Sequence, residues 1–523
     1  MSGNLRQTST EVDERTSALL SNAGAISAVA AAIEGTLGPK GLNCMLVDRF
    51  GEVTISNDGY AILDRMEVTH PAARLLVQTA KAQDLEVGDG TTTACILASA
   101  LINEGVGQII AGVPVAKVVE GIRLGAEAAL GALRQVSRPI SDLSDPLLEQ
   151  AARISGREQT DIAQLVLAGA QIAGPEKLAQ RGFRLADWVT AKAGAANEVF
   201  CGLALEKEPV NRQMPRQLAP ARILIIDDAL EPEELEEEAL ATEAGFNRYR
   251  ELQENFRAGL GRLISGKIDL ILTARGLSEL AEQLLTEAGV MVLRRVTGRD
   301  LARVAEHTGA RPVKRGWLTR PETDLEGVLG WAEQVYCDEK LEQLRIIGGR
   351  GKQVATMLVG ASTAEVKAER QRIAEDAACT VQQALLGGVV AGGGAAEMRI
   401  IPAVEKLRAG LAGMAAYGVD CVIKTLRRPL SQIVANAGFN PLEKVEQVRA
   451  AVVAGQEDAG INCDTGEICN MIELGVVDAT NVKIHALETA AEVAEAVLRI
   501  NIIIRKKDAG RPQGAGSGEG SSK

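Results

Sequence analysis

The stretch Gly88-Asp-Gly-Thr-Thr-Thr-Ala94 carries the strongest chemical signal in the chain. Gly88 and Gly90 let the backbone approach a ligand closely. Thr91, Thr92 and Thr93 place hydroxyls and amides at the start of an apolar segment, 95–110, that reads as a helix. A helix N-terminus favours anions. Asp89 adds a hard oxygen of the kind Mg²⁺ takes. Together these suit a phosphate and its metal. The plainer interpretation is a glycine turn with a threonine N-cap, but one cap needs one threonine.

Other loops are weaker alone. Gly35-Thr-Leu-Gly-Pro-Lys-Gly41 has a rigid Pro39 and the cation Lys40, and by itself reads as a helix C-cap running into a turn. Ser56-Asn-Asp-Gly59 by itself reads as a hairpin turn. Gly392-Gly-Gly394 suggests backbone pressed against a helix or a nucleotide. Asp376 lies inside a helical pattern, where an acid is ordinarily solvated. Asp478 follows the apolar run 474–477, where a turn residue is the plain interpretation.

Other catalytic scaffolds fare badly. His70, His307 and His485 have no ligand-like spacing. The eight cysteines, at 44, 95, 201, 337, 379, 421, 463 and 469, form no CxxC and read as small buried residues of a reducing compartment. The stretch 261–267 imitates a phosphate loop, but Ile268 follows where Ser or Thr is needed, and a strand follows where a helix is needed.

The elements that must hold these loops follow from periodicity. Residues 21–33 and the segment opened by Pro114 are helical, and 44–47 and 53–56 form a hairpin turning at 49–51. Buried-strand runs at 222–228, 268–274 and 290–294, with a helix at 279–287, predict a βα domain over about 204–351. Helical texture returns at 364–386, 407–437 (with a break at Pro429) and 487–497. Helical flanks around a βα insert suggest one discontinuous domain made from both chain ends. The acidic run from Glu231 reads as a solvated helix face, and 508–523 as a disordered tail.

Composition narrows the class. At 523 residues, several domains are expected. A net charge of −12 argues against nucleic acid and anionic membranes as partners. No run approaches 18 consecutive apolar residues, so no membrane span is predicted. The polar N-terminus lacks an apolar signal core, so a cytoplasmic protein is expected. Three Trp, four Tyr and six Phe leave Ala, Val, Leu and Ile to fill the core, which suits helical layers.

Taken in order, GTLGPKG (35–41), NDG (57–59), GDGTTTA (88–94), EDAA (375–378), AGGGAAE (391–397), NAG (436–438) and VVDATNVK (476–483) resemble the nucleotide-site motifs of the chaperonin family. The resemblance runs from about 20 to 505. The stretch 231–260 resembles the helical protrusion of thermosome-type, group II chaperonins, a built-in lid, and 292–311 resembles their apical domain. Asp478 and the stretch 461–478 look closer to the bacterial GroEL type, since group II chains carry Glu-Pro in place of Asp-Ala. The mixture resembles the bacterial group II-like (group III) class.

The resemblance implies a multidomain fold. A mostly α-helical equatorial domain would comprise 1–138 and 392–507. An α/β intermediate domain would comprise 139–203 and 352–391, and an α/β apical domain 204–351. It implies an ATP-driven chaperone and ATPase that captures non-native proteins and encloses them in a double ring, with eight identical subunits per ring and no separate co-chaperonin cap. ATP and Mg²⁺ are the implied cofactors, with K⁺ as a further candidate. Thr36, Leu37, Gly38 and Pro39 would line the nucleotide. Asp89 would ligate Mg²⁺, with Gly90, Thr91, Thr92 and Thr93 on the phosphates. Asp58 and Asp376 would position or activate the attacking water. Gly393 and Gly394 would pack on the ribose or base, near Asn462 and Asp478. Arg157 stands where thermosomes carry a lysine that senses the γ-phosphate. Its planar fork is not equivalent to a point charge. Leu280 and Leu284 are candidate client contacts. Two rival readings use the same loops: a small-molecule kinase or ligase, and a scaffold that binds nucleotide without hydrolysing it.

Overall fold

The computed structural model describes residues 4–47, 49, 51, 53–233 and 242–501. Helices from both chain ends share one apolar core, in which Ile26, Leu76, Leu97, Leu101 and Ile122 pack with Ile400, Val419, Leu430 and Leu487. At its centre runs the helix Thr91–Ile110, packed against Asn4–Glu34, Pro71–Val87 and Thr480–Leu498. Ser17–Glu34 and Thr91–Ile110 do reach the length and hydropathy of a membrane span. In the second of these the apolar residues fill this core, each large side chain contributing about 1.5–3 kcal/mol by leaving water.

Local sequence explains most boundaries. Asp145 and Asn440 cap the helices Pro146–Ser155 and Pro441–Val453, each with proline in the first turn, where a missing N–H is harmless. The predicted break at Pro429 falls at Arg427: Ala415–Leu426 ends and Arg428–Asn436 begins, with Pro429 in its first turn. The strands Cys44–Val47 and Val53–Ser56 pair as the expected hairpin.

The middle of the chain builds a nine-stranded mixed sheet. Its order runs Val189–Ala193, Ala355–Ala361, Glu198–Leu205, Gln343–Gly349, Gly330–Asp338, Ala221–Ile226, Leu270–Thr273, Met291–Leu293, with Gln217–Leu218 pairing off Gly330–Asp338. The three predicted strands lie side by side and parallel at one end. The expected boundary at 203/204 falls inside the strand Glu198–Leu205, which continues the sheet across it. Helix Glu243–Ser265 docks its C-terminal half through Phe256, Leu260 and Leu263, while its N-terminal half projects, with Phe246 and Tyr249 exposed. The rest of the predicted protrusion, 234–241, and the predicted tail, 508–523, lie outside the described residues. Helix Ala364–Gly387 leaves the sheet and passes over the loop at 88–90, so its polar face meets the helical core there.

Candidate nucleotide site

Helix Pro71–Val87 ends on Gly88 (φ 69°) and helix Thr91–Ile110 starts from Gly90 (φ 75°), so Asp89 sits between two left-handed residues. At Gly90 a side chain would also meet Val482 Cγ1 at 2.7 Å. Both facts require glycine. The Asp89 carboxylate is braced on both oxygens. Oδ1 accepts from the Gly90 N–H at 2.6 Å. Oδ2 accepts from the hydroxyls of Ser155 at 3.1 Å and Thr380 at 2.9 Å. Buried Gln83 fixes the turn by donating to the carbonyls of Asp89 (2.8 Å) and Val482 (3.1 Å). Burial raises the Asp89 pKa, the charge of Asp478 adds to this, and these hydrogen bonds offset it only in part. Such a carboxylate gains from a nearby cation.

Among the described residues no group of three or more His, Cys, Asp and Glu could hold a metal alone. Mg²⁺ is often held by one or two carboxylates and substrate phosphates. Asp89 beside the buried hydroxyl-bearing residues Thr91, Thr92 and Thr93 fits that pattern. Gly90→Ala should weaken nucleotide binding about tenfold, because about 1–2 kcal/mol of backbone strain is relieved only by moving Asp89. Titration calorimetry checks this, and unchanged affinity would contradict the cradle.

Two more carboxylates reach this turn from remote segments. Asp58 does not sit in a hairpin turn, as its loop alone suggested. It caps the helix Gly59–Arg65, accepting from the Ala61 N–H at 2.7 Å. Its other oxygen accepts from the Thr91 hydroxyl at 3.2 Å. Asp376 projects from helix Ala364–Gly387 with its side chain 18% exposed, unlike a solvated mid-helix acid. Arg372 joins the two, with Nη1 3.1 Å from Asp376 Oδ2 and 3.6 Å from Asp58 Oδ1. Burial pushes the Asp376 pKa well up. Arg372 opposes this, and the charges of Asp58 and Asp89 reinforce it.

Arg157 and Glu158 both have left-handed backbone (φ 52° and 60°). Arg157 Nη1 donates to Glu369 Oε1 at 2.5 Å, so it faces the same helix as Asp376.

On the other side, strands Val389–Ala391 and Val477–Ala479 pair with Val390 opposite Asp478, and the Gly392 N–H donates to the Val476 carbonyl at 2.9 Å. Gly393 therefore stands in the turn that follows the strand paired with Asp478. The backbone at Gly394 presses on a helix, since a Cβ there would lie 2.8 Å from Leu430 Cα. Asp478 Oδ2 lies 2.9 Å from Lys483 Nζ, which is also 2.9 Å from Glu397 Oε1. Burial alone would depress the Lys483 pKa, but Asp478 and Glu397 more than offset it and hold the ammonium charged. Lys483→Met would strand the buried Glu397. It should destabilise the subunit by about 3–5 kcal/mol, and a thermal midpoint equal to the parent's would contradict that.

The loop with Thr36, Leu37, Gly38 and Pro39 is tied from outside. Asn436 Nδ2 donates to the carbonyls of Glu34 (2.9 Å) and Leu37 (2.8 Å). The Thr36 hydroxyl turns inward to the Ile33 carbonyl at 2.7 Å. Lys40 pairs with Asp464 at 2.6 Å, joining this loop to the turn of Asn462, whose Oδ1 accepts from the Asp464 N–H at 2.9 Å. Leu280 and Leu284 are half-buried against the core of the βα region, away from this site.

Sequence reasoning missed Ser155, Glu369, Arg372 and Thr380 as parts of the site, and gave no role to Lys483, the last residue of the motif 476–483. Arg372, Asp376 and Thr380 are four residues apart, so they share one helix face, and that spacing was a usable signal. Ser155 had none.

The TCP-1/cpn60 chaperonin family matches residues 29–508. The thermosome subunit beta of Archaeoglobus fulgidus is 32% identical over 95% of this chain and 94% of its own. The thermosome subunit of Methanopyrus kandleri is 31% identical over 93% and 92%. The crystal structure of a group III chaperonin in the open state is similar, with a TM-score of 0.85 and 43% identity, covering 94% of this chain and 100% of that one.

Proposed function

The chain belongs to the TCP-1/cpn60 chaperonin family and is an ATP-hydrolysing, group II-like folding chaperone, and we propose that its chemistry runs on Mg²⁺-ATP held between the turn at 88–93 and helix Ala364–Gly387. One observation supports this reading above the rest. Asp58, Asp89 and Asp376 come from separate segments, yet Thr91, Arg372 and Thr380 link them around one glycine-threonine cradle.

In this reading the amides and hydroxyls of residues 90–93 hold the phosphates at the helix N-terminus. Asp89 holds Mg²⁺, which when bound neutralises phosphate charge. Asp58 and Asp376 orient the attacking water and accept its proton, so catalysis rests on positioning and charge. Thr36, Leu37, Gly38 and Pro39 close one side of the nucleotide. Gly393, Gly394, Asn462 and Asp478 close the nucleoside side. Arg157 takes the place of a γ-phosphate sensor, exchanging Glu369 for phosphate.

Thr380 ties Asp89 to the helix that carries Asp376, so nucleotide contacts bias how that helix docks. Because the helix leads back into the mixed sheet, docking moves the segment that bears the projecting half of Glu243–Ser265. That half acts as the lid, and Leu280 and Leu284 meet clients once exposed. The working particle is a cytoplasmic double ring of eight identical subunits per ring, with no separate cap. K⁺ is a further cation for the site.

Asp89→Ala tests the cradle. It should lose the Mg²⁺ dependence of ATP binding, measured by calorimetry with and without the metal. A variant whose ATP affinity still rises with Mg²⁺ as in the parent would contradict the assignment.

A further inference from the structure

We propose that Arg372 is a positioning residue for ATP hydrolysis, a single guanidinium that holds the Asp58 and Asp376 carboxylates at the spacing the water-activating step needs. The inference rests on the reading of Asp58 and Asp376 given above and adds the group that sets their geometry.

Arg372 Nη1 lies 3.1 Å from Asp376 Oδ2 and 3.6 Å from Asp58 Oδ1. The other side of the fork is anchored. Nη2 donates to Glu369 Oε1 at 2.9 Å and Nε to Glu369 Oε2 at 3.3 Å. The guanidinium is thus clamped from behind by a carboxylate that is not one of the pair. Arg372, Glu369 and Asp376 all stand on helix Ala364–Gly387, at i, i−3 and i+4, so they present one face. Asp58 arrives from a different element, at the start of helix Gly59–Arg65. Arg372 is therefore the direct ion-pair link between the two carboxylates.

The arrangement has a physical reason. Two carboxylates facing the same small volume repel, and each would turn away or take up a proton. An arginine between them removes the repulsion and fixes direction, since its planar fork constrains both partners where an ammonium would not. Its side chain is 18% exposed, so water screens these contacts weakly. Glu369 also accepts from Arg157. When Arg157 leaves Glu369 for a phosphate, Arg372 becomes the sole cation on Glu369 among those bonded to it here, and the clamp tightens.

The test uses the assembled full-length protein and four variants: Arg372→Met, Arg372→Lys, Asp376→Ala and Arg372→Met combined with Asp376→Ala. Each is measured for particle mass by light scattering, ATP dissociation constant by calorimetry, and phosphate release at saturating Mg²⁺-ATP. Arg372→Met should lower kcat by about 10- to 100-fold with ATP affinity within about threefold of the parent's. Arg372→Lys should recover part of the loss. In the double variant, Arg372→Met should lower turnover by a smaller factor than it does in the parent, because only Asp58 is left for it to position.

A kcat in Arg372→Met equal to the parent's, with Asp376→Ala inactive, would overturn this proposal and leave the site reading standing. Full activity in Asp376→Ala would instead remove the site reading itself. A loss from Arg372→Met as large in the double variant as in the parent would overturn the proposal, because it would show Arg372 acting apart from the pair. If Arg372→Met does not assemble, Arg372→Lys decides alone, with a lowered kcat supporting the proposal and an unchanged one overturning it.

Discussion

Asp376→Ala should leave ATP binding within a few-fold of the parent's and lower phosphate release by about 10²–10⁴-fold, the usual contribution of a positioned acid or base. The split follows from where the residue stands. In the proposed reading the phosphate contacts come from residues 90–93 at a helix N-terminus, and Asp376 makes none of the hydrogen bonds that shape that turn. Its own link to the turn runs through Arg372 to Asp58 and, one helical turn on, through Thr380 to Asp89. Removing the carboxylate therefore subtracts from the reacting geometry and not from the cradle. Burial also makes the carboxylate a better proton acceptor than an ordinary aspartate, an advantage alanine cannot replace. Phosphate release at saturating nucleotide, beside a calorimetric titration, checks both halves. Undiminished turnover would take Asp376 out of the mechanism.

Deleting 243–254 and closing the gap with a short Gly-Ser loop should abolish encapsulation while leaving assembly and ATP turnover within about twofold. Helix Glu243–Ser265 divides cleanly. Phe256, Gly259, Leu260 and Leu263 are buried against the βα region, and no residue from 243 to 254 is. The first half is thus not needed for the core, and its exposed Phe246 and Tyr249 offer apolar surface to a neighbour. The readout is protease resistance of a labelled unfolded client with Mg²⁺-ATP. The parent should protect it and the deletion should not. A client still protected inside the deletion variant would refute the lid assignment.

The two aspartates whose local readings went furthest astray are Asp58 and Asp376. Ser56–Gly59 has the composition of a hairpin turn, yet Asp58 caps a helix, because the strand before it already has its partner on the other side. Asp376 looked solvated because a helix's periodicity does not say what will cover its polar face. The cover comes from residues 58 and 89, remote in sequence. What was legible was local: the two-glycine turn and helix start at 88–94, the hairpin, the helix 279–287 and the three strands beside it. Their bounds follow from glycine, proline and capping chemistry, which act within a few residues. The continuous sheet across 189–361 was not legible, since Glu198–Leu205 and Ala355–Ala361 pair only after the chain has made an excursion of about 150 residues. The buried pair of Lys483 and Glu397, joined by the half-buried Asp478, is of the same kind: only their juxtaposition makes burial tolerable.

Light scattering combined with small-angle X-ray scattering, on the purified protein with and without Mg²⁺-ATP, tests the central claim most directly. Sixteen copies of a 55.1 kDa chain come to about 0.9 MDa. The account predicts a particle of that mass whose radius of gyration falls on nucleotide addition, as the helix Ala364–Gly387 docks and the lids meet. A particle of the mass of one chain, with a scattering curve unmoved by nucleotide, would contradict it.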